Sequence, residues 1–174
     1  LHWEADKSAS ILQLIHIDEA VDILLAIPRK KREEILSLIN EHKRHELQQL
    51  MNLSKTPIGK IITLEFMTTT PTATVHEVID KIKGETAEYS FFAAIYVLNT
   101  EKQLVGVFNP HDLLMQERET PVYKFMTQNL IEIRLTTPIE IAVRKMLRYH
   151  LPALPVVNNN KNILGILTFD QVAG

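Results

Sequence analysis

Residues Leu151–Gln171 read LPALPVVNNNKNILGILTFDQ: an apolar strand ending in Pro-Val-Val, a turn of three asparagines, a second strand around Gly165, and a helix start. An earlier stretch has the same plan. Ile95–Leu98 is followed by the polar Asn99–Lys102, then Leu104–Phe108 around Gly106, then Asn109-Pro110-His111-Asp112. The two glycines stand 59 positions apart (106 to 165), and Phe66-Met67-Thr68 recurs as Phe125-Met126-Thr127 at the same spacing (66 to 125). A shared offset at two separate motifs predicts a tandem duplication.

Working outward, each repeat predicts strand, helix, strand, strand, helix. In the first, Phe66–Thr70 is extended, Pro71–Thr74 turns and caps, and Val75, Val78, Ile79 and Ile82 form a helix face ending near Gly84. Residues 91–98 and 104–108 then make a strand pair, and Pro110 with Asp112 opens a closing helix. In the second, 131–135 is extended, Thr136-Thr137-Pro138 caps a helix facing the core with Ile139, Val143, Met146 and Leu147, and 154–157 pairs with 163–167. The expected fold class is α+β, with helices covering one face of a short sheet in each repeat.

Ahead of the repeats, residues 8–53 read as short amphipathic helices. Ser8 or Ser10 is expected to cap the first, whose face carries Ile11, Leu12, Leu14 and Ile15. Pro28 ends the second, and little glycine intervenes, which predicts a stacked helical array. Arg29-Lys30-Lys31-Arg32 is followed at once by Glu33-Glu34 and reads as a solvated helix start. His42 and His45 share a helical face without an acidic or cysteine partner in a ligand motif. SKTPIGK at 54–60 breaks periodicity and marks a linker. The expected division is a helical domain at 1–53, a linker at 54–62, and repeats at 63–117 and 118–174.

Composition narrows the function. Nineteen Lys and Arg against 21 Asp and Glu leave a net charge of −2, which argues against a general nucleic-acid binder. The absence of cysteine excludes disulfides and thiolate metal sites and fits the cytosol. No apolar run approaches the roughly 18–20 residues that span a bilayer. The start at Leu1 and the stop at Gly174 suggest an excised piece of a longer protein. With five glycines there is no glycine-rich phosphate loop, and no G-x-S-x-G, H-E-x-x-H or cysteine nucleophile is present, so an enzyme is not expected.

The repeat residues resemble the cystathionine-β-synthase (CBS) domain: Met-Thr before the first strand, LPVV, a polar turn, and Gly-h-h-Thr-x-x-Asp, where h is an apolar residue. The resemblance implies a tandem CBS pair with a cleft for adenine nucleotides (ATP or AMP) and no catalysis. In such pairs the Asp of the closing motif takes ribose hydroxyls and the Ser/Thr hydroxyl helps hold ribose or phosphate. Here the first repeat keeps Asp112 but has Asn109 at the hydroxyl position, and the second keeps Thr168 but has Gln171 at the Asp position. Asp112 also has a purely structural reading, as a helix N-terminal acid favoured by the dipole.

The helical segment IDEAVDILLAIPRKKREEILSLINEHKRHELQQLM is similar to the N domain of MgtE-type magnesium transporters, and TLEFMT resembles the start of that family's first CBS domain. The resemblance implies a cytosolic sensor of Mg²⁺, a homodimer through the CBS pair, and a transmembrane domain elsewhere in the same chain. The alternative is a soluble adenine-nucleotide sensor that regulates a partner. Mg²⁺ requires clustered oxygen ligands, for which the candidates are Glu140, Asp170, Asp22 and Glu88, with Asp18 and Glu85. At other positions where the family has acids, this chain has His150, Gln171, Gly174 and Asn158–Asn160.

Overall fold

The computed structural model describes residues 2–85 and 94–173, which divide into two compact units, Leu1–Thr56 and Pro57–Gly174. The first unit is all helical: α1 (His2–Leu12), α2 (Ile17–Ala26), α3 (Arg29–Ser37) and α4 (Glu41–Leu53). Helix α1 packs on α3, and α2 on α4. Alanines at positions 5, 9 and 20 are buried beside Leu24, Ile35 and Leu47, and their small side chains let the helices approach closely.

Ser8 and Ser10 do not cap α1, which begins six or more residues earlier; Ser10 Oγ instead donates to the Asp6 carbonyl within the helix. Nor is the expected apolar face wholly buried. Ala5, Ala9 and Leu12 follow the helical period into the core, whereas Ile11 lies off that stripe and Leu14, beyond the helix end, is 86% exposed. The basic run opens α3 as expected, and one of its members has a specific task. Arg32 Nε and Nη2 donate to the carbonyls of Leu24 (2.7 Å) and Ile27 (3.1 Å), satisfying the C-terminal end of α2. Arg32→Ala should therefore cost about 1 kcal/mol, seen as faster amide exchange in α2 and α3 while residues 57–173 are unchanged.

The second unit contains α5 (Pro57–Ile61), β1 (Met67–Thr69), α6 (Val75–Gly84), β2 (Ile95–Leu98), β3 (Leu104–Phe108), 3-10 turns at Pro110–Met115 and Val122–Lys124, α7 (Ile139–Tyr149), β4 (Ala153–Val157), β5 (Ile163–Thr168) and α8 (Phe169–Ala173). Strand β2 lies between a parallel β1 and an antiparallel β3; β4 and β5 are antiparallel. The connection between the parallel strands carries α6, capped by Thr74 Oγ1, which accepts from Glu77 N at 3.2 Å.

The duplication is visible in backbone detail. Asn99 Oδ1 accepts from the N–H groups of Glu101 and Gln103, and Asn158 Oδ1 accepts in the same way from Asn160 and Asn162. Lys102 and Lys161 both take the left-handed conformation, with φ of 64° and 68°. The two turns meet: Gln103 bridges Asn162, its counterpart 59 positions on, and Leu104 N donates to Lys161 O at 2.8 Å. A residue contacts its own equivalent only at a two-fold axis, so the repeats are related by a pseudo-dyad through the hairpin tips.

The front halves follow a different offset. Pro57 matches Pro121 and buried Ile58 matches buried Val122, 64 positions apart (58 to 122). Thr63 bridges Ile166 while Thr127 bridges Val107, again 64 apart (63 to 127). The Phe-Met-Thr recurrence at 59 is therefore not a structural equivalence: Met67 lies in β1, whereas Met126 matches Ile62. The first repeat is five residues longer (64 against 59) between its helix and β2. Residues 86–93 of that interval, including the expected beginning of the 91–98 strand, lie outside the described residues.

Two further expectations change. Residues 57–61, read within a linker, form α5, whose Ile58 is packed with the second repeat's Ile133, Met146 and Leu154. Reciprocally, Val122 joins the first repeat's core with Val75 and Ile95. Leading segments thus cross over between repeats, and glycine explains how they fit: a Cβ on Gly165 would meet Thr63 O at 3.0 Å, and one on Gly106 would meet the Met126 side chain. The strand expected at 131–135 shrinks to a single parallel bridge between Ile133 and Val156, because Arg134 N donates to Thr137 Oγ1 at 2.9 Å and turns the chain away. The first repeat's closing helix is a 3-10 turn, and α7 is preceded by Pro138 with no side-chain cap.

Candidate functional site

Between the repeats the inner sheet faces meet in a mixed core of Tyr96, Leu104, Ala153, Val157 and Ile166. At one side of it a cavity of about 300 Å³ opens. The end of β3 and the following 3-10 turn supply Asn109 and Asp112, and the second repeat supplies Tyr149, Pro152, Ala153 and Pro155. Strand alternation builds that wall: Leu154 and Val156 face the second repeat's core, which leaves Ala153 and Pro155 on the opposite face.

Asp112 is fixed by local geometry. Its Oδ2 accepts from Asn109 N at 3.0 Å, and its Oδ1 lies 3.4 Å from His111 Nε2. The dyad-related position repeats the arrangement with a neutral group, since Gln171 Oε1 accepts from Thr168 N at 2.9 Å. The cap thus needs an acceptor but not a charge. Asp112 remains partly open to solvent and borders the cavity. Tyr96 is buried, its ring edge-on to Phe66 at 6.1 Å between centroids, and burial pushes its phenol well above the ordinary tyrosine range.

Asn109 and Asp112 share one cavity. Thr168 does not border it; it is buried at the end of β5. Of the candidate metal ligands in the second unit, Glu140 and Asp170 belong to different helices, α7 and α8. Glu140 and Asp170 lie exposed in the first turns of α7 and α8, Asp22 is exposed in the first unit, Asp18 has no described side chain, and Glu88 lies outside the described residues. Among the described residues no three His, Asp or Glu side chains gather closely enough to hold a metal ion. The neutral residues at expected acid positions have structural tasks: Asn158 shapes its turn, Gln171 caps, and His150 ends α7 at φ 53°, a left-handed position that His tolerates better than most residues. Asp170 and His150 both border an open groove over Met146 and Phe169.

The cavity's second wall was missed from sequence because LPALP reads simply as a buried strand. The small residues at 153 and 155, two apart, were the available signal.

Two family models match the chain. The CBS domain matches residues 58–119 and 122–173, about two thirds of the chain, and the MgtE intracellular N domain matches residues 2–55. The chain belongs to the CBS-domain family, as an MgtE N domain followed by a tandem CBS pair. The MgtE N domain is an intracellular domain, which places this chain in the cytosol.

Similar proteins include the magnesium transporter MgtE of Bacillus subtilis, 31% identical over 114 residues, and that of Thermus thermophilus, 29% identical over the same length. Each alignment covers 66% of this chain and 25% of the relative, so the aligned part is about a quarter of these transporters. A crystal structure of the soluble part of a magnesium transporter aligns with TM-score 0.77 at 24% identity, over 97% of this chain and 66% of the other. The cytosolic domain of the Mg²⁺ channel MgtE in complex with ATP aligns with TM-score 0.75 at 26% identity, over 95% and 68%. The α+β fold expected from the sequence is the observed one. The two matched family models describe an MgtE intracellular N domain and a CBS domain, and neither describes an enzyme family. Among the described residues no helix is long and apolar enough to cross a membrane.

Proposed function

We propose that this chain is the cytosolic regulatory region of an MgtE-like divalent-cation transporter, and that an adenine nucleoside or nucleotide binds in the Asn109/Asp112 cavity to bias the arrangement of its domains. The observation that carries this reading is the succession of N domain and CBS pair over nearly the whole chain. The cavity's chemistry supports the ligand: aromatic and apolar walls suit a flat base, and the Asp112 carboxylate is an acceptor for vicinal ribose hydroxyls. The corresponding partners are a second copy of the chain and the transmembrane domain of the full transporter, for which Mg²⁺ is the cargo.

Asp112→Ala should weaken AMP binding at least about tenfold, the scale of losing hydrogen bonds to a charged acceptor. Thermal scans of the wild-type chain with AMP should show a rise in Tm that the variant lacks; an intact rise in the variant overturns the assignment.

The second reading, a soluble nucleotide sensor acting on a separate partner, is favoured by the scattered acids and by the structural tasks of Asn158, His150 and Gln171. Under the first reading Asp22, Glu88, Glu140 and Asp170 serve as ion ligands between domains. Small-angle scattering from the chain titrated with millimolar Mg²⁺ separates the two. Compaction supports ion sensing, and an unchanged radius of gyration supports the nucleotide sensor.

A further inference from the structure

We propose that His76, in the first turn of α6, is a proton-sensitive latch for the segment 116–121 that joins the two repeats, closed while its imidazole is neutral and open once it is charged. The latch involves neither the cavity nor its ligand.

Backbone bonds stitch the joining segment to the start of α6. Tyr123 N donates to Pro71 O at 2.9 Å and Val122 N to Ala73 O at 2.8 Å, while Val75 N donates to Thr120 O and His76 N to Arg118 O, both at 3.0 Å. The first N–H groups of a helix have no partner within it. In α6 the Thr74 side chain takes that of Glu77, and the joining segment takes those of Val75 and His76. The two ends of this ladder are held differently. Val122 is buried in the first repeat's core, whereas Glu117, Arg118 and Glu119 are exposed. At that outer end a side-chain contact reinforces the backbone bonds: Arg118 Nη2 lies 2.8 Å from His76 Nδ1 and 3.3 Å from Nε2.

A guanidinium has donors and no acceptor, so it is drawn to an imidazole nitrogen only where that nitrogen carries a lone pair. The contact therefore requires neutral His76. Asp80, one turn further along α6, places Oδ2 at 3.3 Å from Nε2, and a carboxylate accepts from the ring in either protonation state. The charged groups facing His76 are thus Asp80 from its own helix and Arg118 from the joining segment, with Glu77, Glu117 and Glu119 as sequence neighbours on the same two elements. Protonation strengthens one contact and reverses the other. The imidazolium stays with Asp80, and Arg118, now a like charge at close range, is driven off. Histidine makes this change between about pH 5 and pH 8. As Arg118 leaves, its carbonyl is drawn from the His76 N–H and the outer end of the ladder opens. The His76 and Asp80 side chains are 42% and 60% exposed, so the response is a local opening and not unfolding.

Amide exchange of the 174-residue chain at about pH 7.5 and about pH 5.5, each rate divided by the intrinsic rate at that pH, tests this. Protection of the N–H groups at positions 75 and 76 should fall about threefold or more on acidification, while those of β4 and β5 hold. His76→Gln keeps an acceptor for Arg118 and a donor for Asp80 without titrating, and should show no fall. Arg118→Gln removes the repelled cation and should be flat as well. Wild-type protection that is the same at both pH values overturns the inference. So does a fall that persists in His76→Gln, which would belong to another group such as His111 beside Asp112, or one that persists in Arg118→Gln, since repulsion would then not be the cause.

Discussion

Leu154→Ala is expected to destabilise the CBS pair by about 3 kcal/mol, lowering its thermal midpoint by roughly 10 °C. Leu154 is fully buried on the core face of β4, packed with Ile133, Met146, Val156 and Leu167 from four parts of the second repeat. Truncation removes the transfer energy of the side chain and leaves a cavity that the flanking strands cannot close, since β4 is held by β5 along its length. Leu147→Ala is the control: that leucine is 58% exposed, and its loss should move stability by less than about 0.5 kcal/mol. Equal effects from both substitutions would contradict the assignment of the β4 faces. Ala153 and Pro155 lie on the other face, so the Leu154→Ala chain, where folded, should still bind the cavity's ligand.

Gly165→Ala should cost about 2 kcal/mol despite the intrinsic advantage of alanine in a strand. The new Cβ would stand 2.8 Å from Ile62 Cδ1 and 3.0 Å from the Thr63 carbonyl oxygen. The isoleucine tip can turn aside, but the carbonyl cannot, because Thr63 exchanges both backbone hydrogen bonds with Ile166, at 2.9 and 3.0 Å. The added methyl therefore pushes the crossover segment away and weakens both bonds. Gly106→Ala meets the Met126 side chain instead, which can shift rotamer, and should cost less. Urea melts of the two variants read the difference, with Gly165→Ala the less stable.

The two glycines also show how far sequence reasoning reached. Their common offset revealed the duplication, because a hairpin is a local object. An asparagine acceptor, a left-handed lysine and a β-bulge all lie within a few residues, and both repeats carry the set. The Phe-Met-Thr recurrence misled, because the first repeat's longer interval before β2 moves the front halves to another offset. The linker reading of SKTPIGK failed for a related reason: Pro57 and Gly59 do break periodicity, but Ile58, Ile61 and Ile62 find their core in the other repeat, about 100 residues along the chain.

Asn109 and Asp112 were legible as candidates because a family pattern marks them, and the structure places them on one cavity. Their opposite wall was not legible as a wall. Ala153 and Pro155 read as small strand residues, and nothing in their neighbourhood says that Asp112 stands across from them.

The sequence by itself determined the helices before the repeats, the paired hairpins, the α+β class and the family, since these rest on periodicity, turn chemistry and local motifs. Only the tertiary structure decided which repeat each leading segment completes, why glycine stands at 106 and 165, and that Asp112 is, among the described residues, the lone charge on a cavity built from both repeats. Those features depend on pairings across the pseudo-dyad, between groups tens of residues apart, and no short-range pattern encodes such a distance.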